Sequence, residues 1–261
     1  MAWPTLGSQF CLELAFGVLF AMAFVPRAPV GRFFYRLMGT TALIPVLVAI
    51  LAPTTTGALP WHAPSNLCGA LALLSYPLYA GPPRGRRWTV GLGLALLGTM
   101  SAVVVTLASG SPSLTSADLF LAGASALSTG SVAGSVGLAM VLGHWYLTVP
   151  DLEIRHLQRL NRVTIVSMLV SLLLVASTCL VHVESLDSGE TPLFAATGLF
   201  HLGTRLIVGL FFPLAFAGMA ASSLRYRNTR SATGILYAST VLVLIGTAVS
   251  LTLQDSYGFP L

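Results

Sequence analysis

The chain has 261 residues, 55% of them hydrophobic and only 8% charged, and its mean hydropathy is +0.85. That balance excludes an ordinary water-soluble domain and reads as a polytopic membrane protein. The net charge of +5 is carried by arginines spread over several connecting segments, with no lysine, a pattern that argues for membrane topology and against nucleic-acid binding.

A hydrocarbon layer of about 30 Å is crossed by about 20 apolar residues in helical form. Eight such runs are predicted, at 8–26, 36–53, 65–81, 88–109, 117–146, 160–183, 192–221 and 231–253. They are continuous and helix-length, unlike the short alternating strands of a membrane barrel. The expected fold is therefore all-α, a bundle of about eight transmembrane helices forming one domain over 1–261. The first run lacks a basic start and a small-residue cleavage site, so a cleaved signal peptide is not expected.

Predicted helix 1 carries Gln9, Glu13 and Gly17 at helical spacing, and Arg27, Arg32 and Arg36 follow it. Arg84, Arg86 and Arg87 follow helix 3; Arg155, Arg159 and Arg162 follow helix 5; Arg225, Arg227 and Arg230 follow helix 7. Every odd-numbered helix thus ends on one basic side. The positive-inside rule assigns that side to the cytoplasm of a bacterial-type inner membrane and both termini to the outside. Trp3 and Trp61 are then expected at the outer interface, Trp88 and Trp145 at the inner one.

Predicted helix 5 contains "GASALSTGSVAGSVG" (123–137), which puts Ala126, Gly130, Gly134 and Gly137 on one stripe. Small residues in this arrangement let a second helix approach closely in lipid, so helix 5 is expected near the bundle centre. After Pro150, "DLEIRHLQRL" mixes charges with Leu152, Ile154, Leu157 and Leu160. It reads as a short amphipathic helix lying in the inner interface, with Asp151 at its N-terminus. The segment "ESLDSGETP" (184–192) is an acidic outer link, and "RYRNTRSATGILY" (225–237) is a basic turn with Thr229 or Ser231 as candidate cap of helix 8.

Ionisable groups inside a membrane are costly and therefore candidate functional groups. Helix 7 places Thr197, His201 and Arg205 at i, i+4, i+8, with Gly198 and Gly209 nearby, and helix 1 offers Gln9 and Glu13 at a similar depth. Glu13 and Arg205 are expected to face each other or a shared cavity in the outer half, with His201 passing or donating a proton. A purely structural ion pair fixing helix register is the competing reading.

A haem held by two histidines needs both at one depth. His144 and His201 lie at opposite ends of their helices, roughly 25 Å apart at about 1.5 Å per residue, so integral haem is disfavoured. His62 and His156 are expected to be exposed. Cys11, Cys68 and Cys179 show no paired spacing, which argues against a metal or cluster site in this chain, and no hydrolase, P-loop or dinucleotide-binding fingerprint is present.

The remaining chemistry suits a quinone head group, which needs an apolar slot plus a few groups that donate hydrogen bonds to its carbonyls and exchange protons. Catalytic candidates are Glu13, His201 and Arg205; candidates for holding the cofactor are Gln9, Thr197, His201 and Arg205. In its helix plan the chain resembles the integral membrane anchors of the polysulfide, nitrite and dimethyl sulfoxide reductase family. That resemblance implies a haem-free subunit with buried polar residues around a quinol site (menaquinone or ubiquinone) near the outer face. It also implies docked iron–sulfur and metal-cofactor catalytic subunits, with membrane lipid as the remaining partner. The alternatives are a small-solute or proton-coupled transporter or channel, and a non-catalytic scaffold of a larger membrane complex.

Overall fold

The computed structural model describes residues 3–25, 30–52, 64–81, 83, 85–110, 114–149, 152–187 and 192–261. The described chain is helical: α1 (Trp3–Met22), α2 (Gly31–Leu51), α3 (Pro64–Tyr79), α4 (Gly85–Gly110), α5 (Ser116–Thr148), α6 (Arg155–Val181), the short α7 (Val183–Asp187), α8 (Ala196–Gly203), a π-helical turn (Thr204–Phe211), α9 (Phe212–Arg225) and α10 (Thr229–Tyr257). The segment from α8 through the π turn to α9 is one continuous rod, Ala196–Arg225. Seven helices are long and apolar enough to span a membrane; α3, at 16 described residues, is the eighth member of the bundle but shorter.

The packing follows a four-plus-four plan. α1 touches α2, α2 touches α3, α3 touches α4 and α4 returns to α1, while α5, α6, α9 and α10 close a second ring in the same way. The rings meet where α1 lies on α5, with smaller contacts of α4 on α5 and α1 on α10. The expected small-residue stripe makes this junction. A Cβ on Gly17 would overlap the carbonyl of Gly130, and one on Gly134 would overlap the backbone of Gly17, so the two backbones touch where no side chain intervenes. Ala126 is fully buried as expected, but Gly137 has turned away from the seam and would meet nothing within 4 Å.

Helix ends explain several departures from the sequence reading. α5 starts on a capping box, in which the Thr115 hydroxyl accepts from the Asp118 N–H and the Asp118 carboxylate accepts from the Thr115 N–H. This satisfies two otherwise orphaned groups. Asn228, rather than Thr229 or Ser231, caps α10 by accepting from the Ser231 N–H at 3.1 Å. The amphipathic segment is no separate interfacial helix: it is the first turns of α6, whose Leu157 and Leu160 are buried in the core. Its Asp151 lies outside the described residues.

Trp88 does not form part of an exposed aromatic belt. It is buried and donates from Nε1 to the Tyr79 carbonyl at 3.1 Å. Trp145 packs on Phe33 and Phe34, while the Trp3 side chain, Trp61 and His62 lie outside the described residues. His156 is half-buried beside Glu153 rather than exposed.

Candidate functional site

Arg205 is the largest fully buried side chain of the described protein, and its position is set by the π turn. In a regular α-helix the ring of Pro213 would collide with the carbonyl of Gly209 and would leave it without a donor. The wider i→i+5 turn just before Pro213 relieves this conflict. The side of the rod facing the bundle then reads Gly198, Leu202, Arg205, Gly209 and Leu210, all buried. Gly209 meets Gly246 of α10 backbone to backbone: a Cβ added at Gly209 would fall 2.6 Å from the Gly246 Cα.

The guanidinium is held from α5, from α6 and from the segment after α10. Its Nε donates to the backbone oxygen of Leu261 at 3.1 Å, and Nη2 donates to the Thr129 hydroxyl of α5 at 2.8 Å and the Ser171 hydroxyl of α6 at 3.1 Å. A guanidinium carries five N–H donors, so the two on Nη1 are left over. Nη1 is buried without a hydrogen-bond partner among the described residues. It lies on the side of the Gly209–Gly246 crossing, 3.6 Å from where a Gly209 Cβ would be.

A second polar group lies at the junction of the rings. Gln9 donates to the Glu13 carboxyl at 2.7 Å and to the Gln254 carboxamide oxygen at 2.7 Å, and Gln254 donates back to Gln9 at 2.6 Å. Gln9, Glu13 and Gln254 are all buried. The two groups are linked through α5: Gly130 is pressed against the Glu13 backbone, and its neighbour Thr129 holds Arg205. Glu13 and Arg205 form no ion pair with each other. The ion pairs among the described residues are Arg155–Glu153, His156–Glu153 and His182–Asp118. The structural Glu13–Arg205 ion pair of the competing reading does not form; the two residues belong to separate hydrogen-bonded groups joined through α5.

Of the sequence candidates, Gln9, Glu13 and Arg205 come together, whereas His201 and Thr197 do not. Thr197 is exposed, and His201 is half-exposed with its ring against Phe200. The reason is angular. Four residues advance an α-helix by about 400°, so each i, i+4 step drifts about 40° around the axis. Relative to Arg205 the drift is about 40° at His201 and about 80° at Thr197, in the direction opposite to the buried Gly198 and Leu202, and so away from the seam. Thr129, Ser171, Gln254 and Leu261 were not among the candidates. Gln254 could have been suspected as a lone amide near the end of the last apolar run.

The segment after α10 completes the enclosure. Gly258 takes a positive φ of 79° and turns the chain back, so Phe259, Pro260 and Leu261 are buried. Ser125 donates to the Pro260 carbonyl at 2.5 Å, and the Phe259 ring sits 4.2 Å from that of His182, which in turn contacts Asp118 at 3.0 Å. Arg205 is thereby covered at the end of the bundle away from the arginine-rich connections. Among the described residues, no three His, Cys, Asp or Glu side chains converge as metal ligands. No family model, curated protein or solved structure matches this chain.

Proposed function

We propose that the chain is the membrane subunit of a respiratory oxidoreductase in a bacterial-type cytoplasmic membrane. In this reading it binds quinone or quinol at the end of the bundle opposite the arginine-rich connections, which face the cytoplasm, and works with iron–sulfur and metal-cofactor catalytic subunits. The observation that carries the reading is the buried Nη1 of Arg205, a charged donor with no partner among the described residues. Leaving such a group unsatisfied costs about 1–3 kcal/mol or more, and a ligand carbonyl oxygen would recover it.

The donor set fits a quinone, a carrier that takes up two electrons and two protons. Arg205 holds a carbonyl oxygen through Nη1, and Glu13 is the proton-exchanging group. Gln9 donates to the Glu13 carboxyl and is itself held by Gln254, which orients that carboxyl. Thr197 and His201 take no part in head-group contact in this assignment. A ring-sized ligand reaches Arg205 only if the Phe259–Leu261 segment shifts, because that segment lies on it.

The test is gentle purification of the tagged protein from its native membrane, followed by identification of co-purifying subunits and extraction of bound quinone. Co-purifying iron–sulfur subunits and quinone, with quinone and quinone-dependent turnover both reduced in Arg205→Ala, are the expected result. Unchanged turnover in a correctly assembled Arg205→Ala complex overturns the assignment. A second reading, a non-catalytic scaffold, is favoured by the reciprocal Gln9–Gln254 amide pair, which joins the two rings and needs no ligand. It predicts that Arg205→Ala lowers the yield of complex while the complex that forms turns over normally.

A further inference from the structure

α1 and α6 both pack on α5 and leave between them a groove of about 720 Å³, at the arginine-rich end of the bundle. One wall is aromatic: Phe20 near the end of α1 and Phe24 in the turn that follows it have ring centroids 5.1 Å apart. The other wall is the outward face of α6, where Arg155, Arg159 and Arg162 recur at i, i+4, i+7. Arg155 is already occupied by Glu153. Arg159 and Arg162 contact no carboxylate among the described residues; Arg159 lies 5.8 Å over the Phe24 ring.

The same face continues away from the arginines as Val166, Leu169, Val170 and Leu173, which are exposed on the bundle surface. Over that stretch α6 rises by about 1.5 Å per residue. A line of apolar side chains roughly 10 Å long therefore leads from the basic pair toward the middle of the membrane. Ser167 also lines the groove.

We propose that this groove is a binding site for an acidic phospholipid, with the phosphate headgroup on Arg159 and Arg162 and an acyl chain along Val166–Leu173 against Phe20 and Phe24. Charge selects the headgroup, since each arginine near a membrane surface favours an anionic lipid by a factor of about five. Guanidinium groups also match phosphate oxygens two at a time. The apolar line selects a lipid over a free anion, because inorganic phosphate has nothing to place there. The site is separate from Arg205 and Glu13, and the proposal does not depend on their role.

The test uses the full chain in mild detergent with equal amounts of phosphatidylglycerol and phosphatidylcholine, counting retained lipids by native mass spectrometry. Preferential retention of phosphatidylglycerol is expected. Arg159→Ala with Arg162→Ala should lower it about tenfold or more, and Arg86→Ala with Arg87→Ala, which removes equal charge at the start of α4, should not. Val166→Trp, which keeps the charges and fills the apolar wall, should also lower it. Equal retention of the two lipids, equal losses in the two arginine double variants, or full displacement by millimolar inorganic phosphate would each overturn the proposal.

Discussion

Replacing Gly209 by alanine should destabilise the bundle, and the same change at Gly218 should not. A Cβ at Gly209 falls 2.6 Å from the Gly246 Cα, whereas carbon atoms rest at about 3.5–4.0 Å. α10 must therefore recede from the rod by about 1 Å, or the π turn must rewind. Overpacking of this size costs about 1–3 kcal/mol. Gly218 lies on the outward face of α9, where an added Cβ meets nothing within 4 Å. Alanine also favours helix over glycine by about 1 kcal/mol. That gain is common to both variants, so their difference isolates the overlap. Reversible unfolding of the purified protein in mixed detergent and dodecyl sulfate should place Gly209→Ala about 1–3 kcal/mol below Gly218→Ala. Equal stability of the two would refute the backbone contact, and with it the placement of Arg205 Nη1 beside that crossing.

Gln9→Leu and Gln254→Leu should each cost about 1–3 kcal/mol by stranding a buried amide. The double variant should cost less than the sum, as a double-mutant cycle in the same unfolding assay would show. Asp118→Ala removes the capping box and the contact to His182 at once, and should lower the midpoint of unfolding in the same assay; Asp118→Asn, which keeps an acceptor, should recover part of this. Deleting Phe259–Leu261 removes the acceptors of Arg205 Nε and of the Ser125 hydroxyl and opens the apolar cluster that packs against Cys179. Labelling of Cys179 by a membrane-permeant maleimide should accelerate in the deletion variant, and an unchanged rate would contradict the closed end described above.

The helices and the central place of α5 were legible because they rest on one-dimensional signals, the length of apolar runs and the spacing of small residues. The convergence of Glu13, Gln9 and Arg205 in one buried region was legible for a related reason: a charge in an apolar run must turn inward. The π turn was not read, although Pro213 in the middle of a 30-residue rod was its signal. Thr129 and Ser171 were hidden because hydroxyl residues in membrane helices commonly bond their own preceding turn, as Thr106 and Thr247 do here. Only the three-dimensional position of Arg205 turns two such residues into acceptors for a cation. The return of the chain after Gly258 depends on one positive φ, and no periodic pattern announces it.

The two polar groups also differ in what they demand of their surroundings. The Gln9–Gln254 amide pair is reciprocal: each side chain both donates and accepts, and the spare donor of Gln9 serves Glu13. It joins α1 of the first ring to α10 of the second, a contact with few other residues to hold it, and so ties the rings at a fixed register. Arg205 instead sits wholly within the second ring, where packing of α5, α6, α9 and α10 on one another already supplies cohesion. A cation there is not needed to hold those helices, since apolar side chains would do so at lower desolvation cost. The arginine keeps two donors on Nη1 without a partner among the described residues, whereas the amide pair at Gln9 is saturated by its own partners.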